Sequence, residues 1–193
     1  GGEPGLGLAD ADLRPEPHGR GGDLHRLLAC RGRVAHRGVE LREPAVLRDQ
    51  TVPTRTFSFT YPDRPHNAEA LLTDPGSSRV WVVTKQAAVG SIYRVDPERG
   101  RTVVATRVRK VGAFVTDGSI SPDRTRFVLR DYVDALVYPG MPPGGKPTRV
   151  YLPLQLQGEA VTWTPDGRYL LVAGERENRL LRVDPVAAAA PVP

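Results

Sequence analysis

The chain has 193 residues, 39% of them hydrophobic, with 20 glycines, 19 prolines and a net charge of +5. That length suits one domain with a packed core, and turn formers at this density favour many short strands over long helices. The positive charge does not point to nucleic acid, because only Lys85, Lys110 and Lys146 are lysines and the arginines are spread along the whole chain instead of clustered.

Cys30 is the only cysteine, which excludes an internal disulfide and a cysteine-built metal site. No apolar run approaches the roughly 18 residues that a membrane-crossing helix needs. The chain starts Gly-Gly-Glu, with neither an initiator methionine nor a leader-like apolar stretch, as expected where a leader has been removed or the true start is missing.

Residues 1–43 are rich in glycine and arginine and hold Cys30 with three of the four histidines, His18, His25 and His36. Nothing there alternates with a period of two, so no strand is signalled, and residues 23–30 have the spacing of two helical turns. His18, His25, Cys30 and His36 are spaced by 7, 5 and 6 residues, which matches no zinc-ligand pattern. The expectation for residues 1–43 is an irregular segment, disordered or non-native, of the kind that a frame error or a mis-called start leaves in a GC-rich gene.

From Glu43 onward β-type patterns take over. Residues 54–61 alternate, with Phe57, Phe59 and Tyr61 on one face, as expected of the outer strand of a sheet whose inner strands are absent. A repeated unit follows in three copies. Each begins with a short strand that carries an acid (Glu69, Asp117, Glu159) and turns at a proline (Pro75, Pro122, Pro165). Apolar second strands come next at 79–84, 126–130 and 168–173, then third strands at 91–95, 135–138 and 179–183. Fourth strands are expected at 102–108 and 148–152. Arg-Val-Asp-Pro closes the first and third copies, and Arg94 and Arg182 are 88 residues apart, or two periods of 44.

A period in the low forties with three or four strands per unit is that of a propeller blade. A β-sandwich is the alternative, but it does not require this order to recur. The predicted fold is all-β: a partial β-propeller of about three antiparallel blades near 67–108, 116–152 and 157–183. An irregular segment precedes it and an Ala/Pro tail at 186–193 follows.

Phe59-Thr60-Tyr61-Pro62-Asp63, His66-Asn67-Ala68-Glu69-Ala70, Val115-Thr116-Asp117-Gly118 and Gln157-Gly158-Glu159-Ala160 resemble a family of bacterial, largely actinobacterial, β-propellers. That family is related to the "esterase-like activity of phytase" domain and to WD40-like propellers. The resemblance covers residues 44–185 and the C-terminal half of such a domain. It implies further blades before Pro44 and an extracytoplasmic, secreted or envelope-associated location. No Gly-x-Ser-x-Gly elbow is present, so the esterase in the family label gains nothing here.

Five residues are candidate site residues: Glu69, Asp117, Glu159, His66 and Lys85. The three acids hold equivalent places in the repeat, so a propeller gathers them near one mouth of its channel. A ring of carboxylates suits Ca²⁺ or a ligand; the alternative is that each acid accepts backbone N–H groups of a neighbouring blade. His66 with Glu69 makes a candidate acid–base pair, against the plainer role of a turn residue. Lys85, at a strand end, is a candidate phosphate-binding group. Trp81 and Trp163 are expected in the core. The expected function is binding of a ligand or partner at the channel mouth. A fragment of a Ca-dependent phytase-like phosphoesterase and a protein-interaction scaffold are the alternatives. An open three-blade stack exposes apolar faces, so self-association is expected.

Overall fold

Val80-Trp81-Val82-Val83-Thr84 is buried at every position. A strand reads as a continuous apolar run, with no alternation, when both of its faces are covered. That condition sets the architecture. The computed structural model describes residues 23–28, 36–42, 44–46 and 48–188, with the backbone alone for 23–28 and 42. Every regular element among them is a strand.

In chain order these are β1 (Asp23–Leu28), β2 (His36–Arg42), β3 (Thr54–Thr60), β4 (Ala68–Thr73), β5 (Val80–Thr84), β6 (Gly90–Val95), β7 (Thr102–Val104) and β8 (Thr106–Val111). They continue with β9 (Asp117–Ile120), β10 (Arg126–Arg130), β11 (Asp134–Pro139), β12 (Thr148–Tyr151), β13 (Gly158–Trp163), β14 (Leu170–Gly174) and β15 (Leu180–Val183). They form four sheets, ordered β1-β2-β3-β7, β4-β5-β6-β8, β9-β10-β11-β12 and β13-β14-β15. All pairs are antiparallel except β3 with β7. The chain is an all-β partial β-propeller, and its last three sheets are the three copies of the repeat.

Each sheet packs on the next through alternate residues of its second strand. Val80 and Val82 face the first sheet, where they meet Phe57, Phe59 and Tyr61. Trp81 and Val83 face the third, against Phe127, Leu129 and Tyr138. Val128 faces the fourth, with Trp163, Leu170 and Val172. Each buried aromatic or aliphatic side chain of this kind contributes roughly 1.5–3 kcal/mol. In the fourth sheet Leu171 and Ala173 are half-buried, and no described sheet covers them.

The turns after β4, β9 and β13 use side-chain acceptors. Asp74 accepts from Gly76 N, Asp123 from Thr125 N and Asp166 from Arg168 N, so each reversal is closed by its own acid. Strands β4, β9 and β13 lie side by side. They line a cavity of about 430 Å³ with Leu71, Thr73, Asp117, Ser119, Thr162 and Trp163 on its walls.

Three expectations need correction. Strands β1 and β2 lie inside the segment expected to be irregular, and Asp23–Leu28 is a strand where the spacing is that of helical turns. Pairing explains this: β2 is held by the alternating β3 in a six-residue register from His36↔Phe59 to Leu41↔Thr54, and β1 is held by β2. His18 and Cys30 lie outside the described residues, as does the side chain of His25. The strand expected over 102–108 is split at the buried Ala105 into β7, which joins the first sheet, and β8, which joins the second.

Gly38 stands opposite Phe57 in the β2–β3 register, and a Cβ there would collide with the tip of the Phe57 ring. Gly38→Ala should therefore lower the unfolding free energy by roughly 1–3 kcal/mol, the cost of overpacking. Urea denaturation reads it. An unchanged midpoint would mean that β2 is not docked on β3.

Candidate functional site at the rim of the inner strands

Counted back from the turn prolines, Glu69 and Glu159 are equivalent, each six residues before Pro75 and Pro165. Asp117 is not, because it stands five residues before Pro122, at the place of Ala70 and Ala160. The ladders agree. In β4 and β13 the register shifts between Ala68 and Ala70 and between Gly158 and Ala160, which makes each glutamate the extra residue of a β-bulge. In β9 the ladder is regular and pairs Asp117 with Arg130. A bulge re-aims its extra side chain, so two acids go to the rim and the third goes into the stack.

Asp117 is spent on the neighbouring sheet. Its Oδ2 accepts the Val161 N–H at 2.8 Å. Burial pushes its carboxyl up to about 6, against the backbone hydrogen bonds and the Arg130 charge. Arg130 is 1% exposed. Its Nη1 donates to Ala160 O at 2.8 Å, Ala173 O at 3.2 Å and Gln155 Oε1 at 3.3 Å, and its Nε donates to Asp131 O. Thr116 Oγ1 adds a bond to Gly158 O at 3.2 Å. For Asp117 the backbone-accepting alternative is the one the structure has.

At the rim, the Lys85 ammonium is 2.6 Å from Glu69 Oε2 and 4.6 Å from the centre of the Tyr132 ring. Burial pulls its pKa down, but the bonds to Glu69 and Tyr132 and the charges of Glu69 and Glu159 leave it above its ordinary value. Glu159 is raised by burial and by the charges of Glu69 and Glu175, against Lys85 and Gln157. Gln157 Nε2 donates to Glu175. Phe114, 46% exposed and with a left-handed φ of 55°, sets its ring 6.5 Å from Tyr132. Lys85, Glu69 and Glu159 are thus brought together. The calcium ring of Glu69, Asp117 and Glu159 is not assembled, and no group of three or more acids, histidines or cysteines among the described residues is placed to hold a metal. Lys85 is already paired with a carboxylate, so the phosphate role expected for it is not what its contacts favour.

His66 does not meet Glu69. Its Nε2 lies 3.0 Å from Asp63 Oδ1 and 3.2 Å from the Tyr93 hydroxyl, and its ring packs edge-on to Tyr61. The expected acid–base pair is corrected: Glu69 is turned to Lys85 by its bulge, and His66 belongs to an aromatic cluster between the first two sheets. His36 stacks on Phe59 in the same cluster, and burial and the nearby His66 hold its pKa down. Sequence reasoning missed Arg130, Tyr132 and Phe114. A signal existed for Arg130, since the other two copies carry Val83 and Ala173 at its register position. None marked Tyr132 or Phe114, which stand on loops.

No family model and no curated protein matches the chain. A solved structure from Bacteroides uniformis, described as a "putative 6-phosphogluconolactonase", matches with a TM-score of 0.49 and 15% identity over 77% of this chain and 44% of that one. The chain thus spans less than half the length of that structure. A likeness of this degree carries no argument about what the chain does. The resemblance to phytase-like propellers is corrected, since no family model matches the chain. The phosphoesterase, WD40-like and envelope expectations lose their basis with it. No helix among the described residues is long and apolar enough to cross a membrane.

Replacing Arg130 by alanine should cost about 3–5 kcal/mol in denaturant unfolding, because it orphans two carbonyls and leaves Asp117 without its buried counter-charge. Asp117 also sets a pH dependence. The folded chain keeps the Asp117 proton up to about pH 6, while the unfolded chain releases it near the ordinary aspartate value of 3.8. The protonated form's contribution is therefore complete below that lower value and lost as pH rises through the higher one. The stability of the wild type minus that of Asp117→Asn should fall by about 3 kcal/mol between about pH 4 and 6. A flat difference across that window would show that Asp117 is not buried as described.

Proposed function

We propose that this chain is the ligand-binding part of a β-propeller and takes a small polyhydroxylated molecule on the rim of its inner strands. The observation that carries this reading is the juxtaposition of Lys85, Glu69 and Glu159 with the rings of Tyr132 and Phe114. Exposed aromatic faces give the C–H side of a sugar ring an apolar surface. Carboxylates, an ammonium and the Gln157 amide supply acceptors and donors for its hydroxyls. The Lys85–Glu69 pair leaves no free cation at the rim, which suits an uncharged ligand better than an anion. The raised pKa of Glu159 adds a carboxyl that donates as well as accepts at mildly acidic pH.

A second reading is favoured by the apolar flank of the same rim. Val133, Leu154 and Leu156 are 64%, 89% and 63% exposed, and a protein partner would cover apolar side chains of this kind.

Titrating the chain with glucose, galactose, mannose and cellobiose, followed by calorimetry and by NMR of the rim, separates the two. Under the ligand reading at least one sugar binds, and Tyr132→Ala or Glu159→Gln weakens it about tenfold, the equivalent of roughly 1.4 kcal/mol, with the unfolding midpoint unchanged. A folded chain that responds to no sugar at millimolar concentration would refute the ligand reading and leave the partner reading in its place.

A further inference from the structure

We infer that the cleft between the β3–β4 loop and the second sheet is a binding site for a phosphate dianion, either free or as a monoester. The cleft encloses about 240 Å³ and is distinct from the rim. Three cations line it: Arg64 from the loop after β3, and Arg107 and Lys110 from β8. None of them forms an ion pair among the described residues, whereas Arg79, Arg94, Arg124, Arg149 and Arg179 each hold a carboxylate. The one carboxylate on the wall, Asp63, is engaged by His66 through both of its oxygens, at 3.0 and 3.2 Å. Leaving the imidazole aside, these side chains carry a net two positive charges.

Buried polar groups complete the wall. Tyr93 is 1% exposed and its hydroxyl lies 3.2 Å from His66 Nε2. The His66 side chain is 9% exposed, and its Nδ1 is buried without a hydrogen-bond partner among the described residues. Buried polar atoms are seldom left in that state unless a ligand or water completes them. Ser91, whose backbone N–H is taken by Thr84 Oγ1, adds a hydroxyl at the same end of β6.

Two unmatched positive charges select a dianion, and guanidinium groups match phosphate oxygens bidentately. The volume exceeds that of a bare oxyanion, so a small organic body fits beside the phosphate. A monocarboxylate would leave one cation unmatched. This site does not rest on the rim reading.

Calorimetric titration of the whole chain with inorganic phosphate, O-phosphoserine and citrate, each against chloride at matched ionic strength, tests the assignment. One phosphate should bind per chain, and Arg107→Gln and Lys110→Gln should each weaken binding about tenfold through loss of a charge-assisted contact. Both positions are exposed, and an unchanged urea midpoint confirms that the variants are folded. Phosphoserine binding tighter than phosphate assigns an ester, and equal affinity assigns the free anion. The assignment is overturned if phosphate behaves as chloride does, if citrate binds more tightly than either phosphate compound, or if the Arg107→Gln/Lys110→Gln double variant retains wild-type affinity.

Discussion

A guanidinium removed from water between two sheets needs acceptors for its N–H groups, and two of those that Arg130 uses belong to the next sheet. Ala160 O and Ala173 O come from adjacent strands of the fourth sheet, β13 and β14. An apolar contact tolerates sliding by a fraction of a residue, but a charge bonded to two carbonyls does not. Burial works against the charge, and the carboxylates of Asp117, Asp131 and Glu159 oppose that effect. The anchor also dictates composition around it. A Cβ at Gly158 would overlap Arg130 Nη2, so the first residue of β13 has no side chain. Between the second and third sheets the same register positions are Ala70 and Val83, both fully buried, and at that level the contact is apolar.

That anchor has consequences at the rim. Fixing β13 against β9 places the Glu159 bulge on the same end of the stack as the Glu69 bulge. There Lys85, which follows β5, pairs with Glu69 and feels the charge of Glu159. The rim is thus built from three sheets, with Glu69 and Lys85 from the second, Phe114 and Tyr132 from the loops of the third, and Glu159 with Gln157 from the fourth. Its lysine is paired with a carboxylate. The cleft beside the β3–β4 loop differs, because its cations have no carboxylate partner among the described residues. One small stack therefore has two surfaces of different character, an aromatic rim with a paired lysine and a basic cleft.

The first sheet shows how far pairing overrides local pattern. β3 carries a clear alternation, and its partner β2 carries little, yet β2 follows β3 because an extended edge with a buried aromatic face is a template for another strand. Gly38 makes the approach possible by leaving room for Phe57. β7 joins β3 in parallel from within the β6–β8 connection, and so ties the first sheet to the second through the backbone as well as through the core.

The amino-acid sequence by itself determined the repeat, the turns and the buried second strands. These are properties of residue order: Pro and Asp close a reversal locally, and runs such as Val80–Thr84 and Arg126–Arg130 cannot be exposed without large loss of apolar burial. The tertiary structure alone decided which acid goes where. The spacing to the turn proline sets Asp117 one residue out of step with Glu69 and Glu159, but it is the missing bulge in β9 that turns Asp117 to the fourth sheet while its counterparts stay at the rim. It also decided that His66 meets Asp63 and Tyr93 instead of Glu69, and that β1 and β2 are strands. Bulges, cross-sheet hydrogen bonds and edge pairing are relations between distant segments, and the periodicity of a single strand holds no record of them.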